Sequence, residues 1–218
     1  VTFEGGEGSG KTTQIERLAK RLSSEGFSVV ATREPGGSPG ADALREILLS
    51  GAAQSLGNDM EAILFAAARI DHLACVIRPA LALGAVVLCD RFLDSTRVYQ
   101  GSSTTDDSDF LTILEDATLD GLMPDLTLVL DLAAETGLKR AAMRRGRGTA
   151  DRFEREDVRI HEARRQAFLG IARAEPARCV VIDASRDPSA VHSAIWRAVS
   201  ERLRPGVKGN TAPRIASA

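Results

Sequence analysis

Gly5-Gly6-Glu7-Gly8-Ser9-Gly10-Lys11-Thr12 has the spacing GxxxxGK(S/T), in which each residue type has a task at a phosphate group. Glycines let backbone N–H groups close around phosphate oxygens, and the helix start that follows adds a favourable field. Lys11 is placed to reach β- and γ-phosphates, and the Thr12 hydroxyl to bind Mg²⁺. Gly5, Gly6, Gly8, Ser9, Gly10, Lys11, Thr12 and Thr13 are therefore the expected ATP site, with Lys11 as a catalytic cation. A guanine-specific switch protein would carry NKxD and DxxG. The only asparagines, Asn58 and Asn210, are not followed by Lys, and no Asp has Gly three places on. The GTPase reading therefore loses most of its weight; the loop alone does not make a kinase, and phosphoryl transfer to a second molecule is one reading left open.

Three further groups of residues are candidates for holding that second molecule. Thr32-Arg33-Glu34-Pro35-Gly36-Gly37 follows one apolar run, and Asp90-Arg91-Phe92 follows another, continuing through Ser95, Thr96, Tyr99 and Gln100. Phe65, Arg69 and His72 stand at i, i+4 and i+7 of a helical pattern. The apolar stripe Ile63, Ala67, Ile70, Ala74, Ile77 and Leu81 lies on its other side and reads as the core face. Phe65 and Arg69 then suit stacking on a base or packing on a partner subunit. Residues 144–155, RRGRGTADRFER, are arginine-rich and broken by Gly146 and Gly148, which predicts a mobile loop between helices. Plainer readings exist for some of these: Asp90 with Arg91 as a buried ion pair, Glu34 and Pro35 as loop formers. His72, His161 and His192 have no metal spacing and receive no role.

The elements that must position these groups are legible as alternating patterns. Runs 1–4, 27–33, 85–89, 126–130 and 179–182 are nearly all apolar, as expected for parallel strands covered on both faces. A helix over 11–25 carries Ile15, Leu18, Ala19 and Leu22 and stops before Gly26. A second, from Asp59, has Asn58 as N-cap with Glu61 completing a capping box. The expectation is a doubly wound α/β domain over residues 1–204: a five-stranded parallel sheet with helices on both faces and an arginine-rich lid at about 144–155. Residues 205–218, rich in Gly, Pro, Ser and Ala, are expected to be a disordered tail. Only four residues precede the glycine loop, so the first strand is expected to begin before Val1.

In this order, EGGEGSGKTT, TREPGG, FAAAR, DRFLDSTRVYQG and PDLTLVLDL closely resemble the thymidylate kinase family, over nearly all the chain except its tail. The resemblance implies transfer of the γ-phosphoryl group of ATP to dTMP, with Mg²⁺, on a P-loop fold. It implies that Glu7 contacts the acceptor sugar or its magnesium surroundings, that Phe65 stacks on thymine and that Arg69 hydrogen-bonds its O4. It places Arg91 on the acceptor phosphate, Asp90 near Mg²⁺, Thr96 at the base, Tyr99 against a 2′-hydroxyl and Gln100 near the nucleotide. Glu34, Pro35 and Ser95 join the acceptor set. The loop lacks the arginine that some family members carry there, so the chain is similar to the bacterial type that uses its lid. Arg144, Arg145, Arg147 and Arg152 are the candidates for that role, Arg152 in Asp151-Arg152-Phe153-Glu154 being best placed by motif. Phe92 stands where His or Tyr is often found. A homodimer is implied as well, with residues 60–77 and 110–122 as its apolar patch.

Composition narrows the alternatives. With 28 Lys+Arg against 30 Asp+Glu and a net charge of −2, a general nucleic-acid coat is not expected. The ten-residue apolar run 80–89 is too short to cross a bilayer, and no secretory signal precedes the loop, so a cytoplasmic protein without a membrane partner is expected. Cys75, Cys89 and Cys179 form no CxxC pair and read as buried thiols. The rival readings are a deoxynucleoside kinase, whose hydroxyl acceptor needs a carboxylate base, and a nucleotide-binding regulatory module without turnover.

Overall fold

The computed structural model describes residues 1–101, 107–146 and 152–203. Arg147 and the tail from 205 onward lie outside the described residues. Strands β1 (Thr2–Glu4), β2 (Val29–Arg33), β3 (Val86–Asp90), β4 (Thr127–Asp131) and β5 (Cys179–Asp183) form one sheet, ordered β2-β3-β1-β4-β5. Every neighbouring pair is parallel. The last three strands run one residue beyond their apolar runs, each ending on an aspartate. Backbone pairing, such as Phe3 with Asp90, continues after hydropathy has stopped. These aspartates therefore stand at the carboxyl edge, where open α/β sheets place their ligands.

Helices α1 (Lys11–Ser24) and α9 (Pro188–Arg202) cover one face. There Leu18, Leu22 and Ile195 pack on Phe3, Leu88, Leu128 and Leu130, all at most 1% exposed. Beyond α2 (Pro39–Ser50), the chain covers the other face with α3 (Asn58–His72), a π turn (Leu73–Ile77) and α4 (Arg78–Ala82). Leu73 and Ile77 there pack with Val87, Cys89 and Phe92. Also in place are α5 (Leu93–Gln100), α6 (Asp107–Leu119), α7 (Ala134–Arg145) and α8 (Val158–Ala174), with Phe168 of α8 against Val98 and Val129. Beneath the site, α5 is anchored by Asp94, whose carboxylate is 1% exposed and accepts two 2.7 Å hydrogen bonds from Arg178. A buried charge is tolerated only when paired in this way.

Helix α3 departs from the sequence reading twice. Gly57 precedes its first turn, no side chain caps it, and Glu61 turns inward to a lid arginine, so the capping box does not form. The stripe Ile63, Ala67, Ile70, Ala74 and Leu81 is exposed, with Ile70 at 52%; of the six only Ile77 is buried. The buried face carries Ala62, Ala66, Arg69 and His72. Small alanines let the helix approach its neighbours, and the polar residues are buried because they find partners; residue size alone pointed the other way. Cys75 is likewise exposed, whereas Cys89 and Cys179 are buried.

Candidate active site

The phosphate loop is shaped by close backbone approach. At Gly8, with φ +67°, a Cβ would fall 2.0 Å from the carbonyl oxygen of Gly137, and a Cβ on Gly137 would fall 2.2 Å from that of Glu7. Only glycines allow the first turn of α7 to seat against the loop. Lys11 Nζ donates to the carbonyls of Gly5 (3.0 Å) and Gly6 (2.9 Å), closing the loop on itself. Burial, with Arg91 adding to it, lowers its pKa to about 8, so an arriving phosphate would restore an ordinary ammonium. The Thr12 hydroxyl donates to Asp90 Oδ2 at 2.6 Å, joining the start of α1 to the end of β3.

Arg91 leaves β3 at φ +68°, a strained conformation for a non-glycine residue, held by its N–H on Phe3 O at 2.9 Å. Its Nη2 reaches Glu7 Oε1 at 2.5 Å and its Nη1 reaches Ser95 Oγ at 3.1 Å. Burial would raise the Glu7 pKa, but Arg91 and then Lys11 hold it down at about 2. Asp90 and Arg91 thus do not pair with each other; one serves the loop hydroxyl and the other the loop carboxylate. Tyr99 donates to Glu7 at 3.3 Å beneath the Arg91 guanidinium, and burial pushes the phenol up to about 12. Sequence reasoning missed Glu4, fully buried at the end of β1, which accepts from Phe92 N–H (2.8 Å) and the Ser95 hydroxyl (2.6 Å). Burial, with Asp94 next, raises its pKa to about 7. Its signal was a charged residue closing an apolar strand.

These groups line a cleft of about 770 Å³. Phe65, half-buried, lines it too, with Arg69, Glu34, Pro35, Thr96 and Gln100. Arg69 Nε donates to Glu34 Oε2 at 2.7 Å and its Nη2 to Thr96 Oγ1 at 3.0 Å, over the Phe92 ring. Gly5, Gly6, Ser9 and Thr13 do not line the cleft, though Gly5 and Gly6 supply the carbonyls that hold Lys11.

The candidate lid arginines Arg144, Arg145 and Arg152 have different surroundings. Arg144, near the end of α7, lines the cleft, two-thirds exposed and 3.9 Å from Glu154. Arg145 is paired with Glu154. Arg152 does not line the cleft: it is bound to Glu61 of α3, a carboxylate 3% exposed. Drawing Arg152 away would leave a buried charge uncompensated. Phe153 stands edge-on to Tyr99 at 5.4 Å, and Arg164 of α8 lies over the same ring at 4.2 Å.

A phosphate loop that shares one cleft with an aromatic ring, a buried arginine and further cations defines a P-loop kinase of small nucleotides. The family model described as "Thymidylate kinase" matches residues 3–195. Thymidylate kinases of two Bradyrhizobium strains, BTAi1 and ORS 278, are 57% and 56% identical over 203 residues, covering 93% of this chain and 90% of each relative. The crystal structure of thymidylate kinase from Ehrlichia chaffeensis is 32% identical with a TM-score of 0.71, covering 91% of this chain and 96% of that one. The chain belongs to the thymidylate kinase family.

Proposed function

We propose that this cleft brings ATP and dTMP together and transfers the γ-phosphoryl group to dTMP, giving dTDP and ADP for dTTP synthesis. The observation that carries the reading is that Lys11, Thr12, Arg91, Phe65 and Arg69 all line one cleft.

The acceptor is a phosphate, already anionic at neutral pH, so no general base is required. The work is to hold two polyanions in line. Lys11 moves from the loop carbonyls to the β- and γ-phosphates. Arg91 takes the acceptor phosphate, while Glu7 and Tyr99 meet the acceptor sugar. Phe65 stacks on the base, and Arg69 and Thr96 face its edge. Thr12 and Asp90 offer the oxygen donors that suit Mg²⁺, which keeps most of its coordination for phosphates and water. The ion would supply neutralisation of the β- and γ-oxygens. Arg144 approaches the transferring group from the lid, which also excludes water.

The exposed apolar residues Met60, Ile63 and Ile70 of α3 and Ile113 of α6 support a homodimer through this face. Among the described residues no helix is long and apolar enough to cross a membrane; a cytoplasmic site of action accords with the reaction. A coupled assay tests the function: ADP release must require dTMP, stop with EDTA and return with Mg²⁺. Equal ADP release without any acceptor would leave only an ATPase.

A further inference from the structure

His72 belongs to no part of the mechanism above, yet it is completely buried with both ring nitrogens engaged. Its Nδ1 lies 3.1 Å from Glu34 Oε1 and its Nε2 lies 2.6 Å from Thr32 Oγ1. An ionised carboxylate only accepts, so Nδ1 carries the hydrogen. Glu34 gives its other oxygen, Oε2, to Arg69 Nε at 2.7 Å, so the carboxylate is fixed at both ends. Arg69 is held again by Thr96 through Nη2 and by the Phe92 ring 5.1 Å away. Among the described residues Nη1 is the guanidinium nitrogen left without a partner. Gly37 keeps room for this chain of contacts, because a Cβ there would fall 2.4 Å from Thr32 Oγ1 and 2.7 Å from His72 Nε2.

We propose that His72 is a specificity-positioning residue: through Glu34 it sets the Arg69 guanidinium so that one donor nitrogen faces the acceptor base. The proposal rests on the reading of Arg69 as the base-contacting residue. A donor held rigidly accepts a base with a carbonyl at position 4 and rejects one with an amino group there, where donor meets donor. A guanidinium free to rotate could turn away from the amino group and lose that discrimination. His72 never touches the nucleotide and acts only by keeping Arg69 still.

The test is kcat/KM for dTMP and dCMP in wild type, His72→Phe, His72→Asn and Arg69→Ala. His72→Phe is expected to narrow the dTMP/dCMP ratio about tenfold, the scale of one hydrogen-bonded contact. Its KM for dTMP should rise more than its kcat falls. Asn can offer an N–H where Nδ1 stood, so His72→Asn should recover most of the ratio. A wild-type ratio in His72→Phe, with the ratio lost in Arg69→Ala, would overturn the positioning role alone. A wild-type ratio in Arg69→Ala would overturn the base reading on which it rests. If His72→Phe does not fold, Thr32→Val removes the other ring partner and must narrow the ratio in the same direction; an unchanged ratio there sinks the proposal.

Discussion

Arg91 Nη2 lies 2.5 Å from Glu7 Oε1, an ion pair that ties the carboxyl end of β3 to the middle of the phosphate loop. On the proposed function, this contact joins the donor and acceptor sides of the cleft. In that reading, a phosphate arriving at Arg91 would compete with Glu7 for the same guanidinium, and the freed carboxylate would become available to the sugar. Arg91→Ala is expected to lower kcat/KM for dTMP on the order of 10³-fold, since a preorganised cation on the acceptor is lost. Arg91→Lys should recover only part, because Lys cannot reproduce the planar fork. Steady-state kinetics with dTMP varied will decide; a wild-type value for Arg91→Ala would remove Arg91 from the acceptor site.

Glu4 gives a pH signature. Its carboxyl rises from 4.5 to about 7 on folding, chiefly through burial, so the folded chain binds the proton more tightly than the unfolded one. That contribution to stability is fully present below about pH 4.5 and is lost as pH rises through about 7. Glu4→Gln keeps a carbonyl acceptor for the Phe92 N–H and should flatten the stability profile across that window. Urea unfolding at several pH values measures it, and a profile in Glu4→Gln as steep as wild type would contradict the assignment.

The lid arginines can be ranked. Arg144 is exposed beside the cleft with a loose partner, whereas Arg152 would have to abandon a nearly buried Glu61. Arg144→Ala is expected to lower kcat by about 10³, the scale of an arginine that stabilises the transferring phosphoryl group. Arg152→Ala should cost less, and Glu61→Gln should mimic it, because both open the same contact between lid and α3. Single-turnover rates with saturating ATP will show the order; the larger fall in Arg152→Ala would return the finger's role to it.

Much of this arrangement was legible in the sequence for physical reasons. The loop from Gly5 to Thr12 depends on glycines at fixed intervals, and parallel strands buried on both faces leave unbroken apolar runs. Phe65, Arg69, Arg91 and Tyr99, which all line the cleft, could be singled out because their motifs adjoin strand ends and helix faces. The α3 faces were misread because hydropathy ranks Ile63 and Ile70 above alanine. It cannot see that Ala62 and Ala66 permit close packing while Arg69 and His72 are paid for by ion pairing. Contacts between residues distant in sequence, such as Glu4 with Ser95 or Glu61 with Arg152, leave no local pattern to read.

Phe65 should affect binding more than turnover. Loss of a ring stacked on a pyrimidine costs about 1–3 kcal/mol by analogy with other base–aromatic contacts. Phe65→Ala is therefore expected to raise KM for dTMP, dUMP and dCMP together while kcat falls less. If kcat for dTMP collapses with KM unchanged, Phe65 is not the stacking platform.

Thymidine and dTMP supplied side by side with ATP and Mg²⁺, with the products separated by chromatography, test the central claim most directly. The chain carries cations for an anionic acceptor and asks for no base, so dTDP must accumulate from dTMP, ahead of other monophosphates, while thymidine stays untouched. Formation of dTMP from thymidine, without dTDP, would contradict the account.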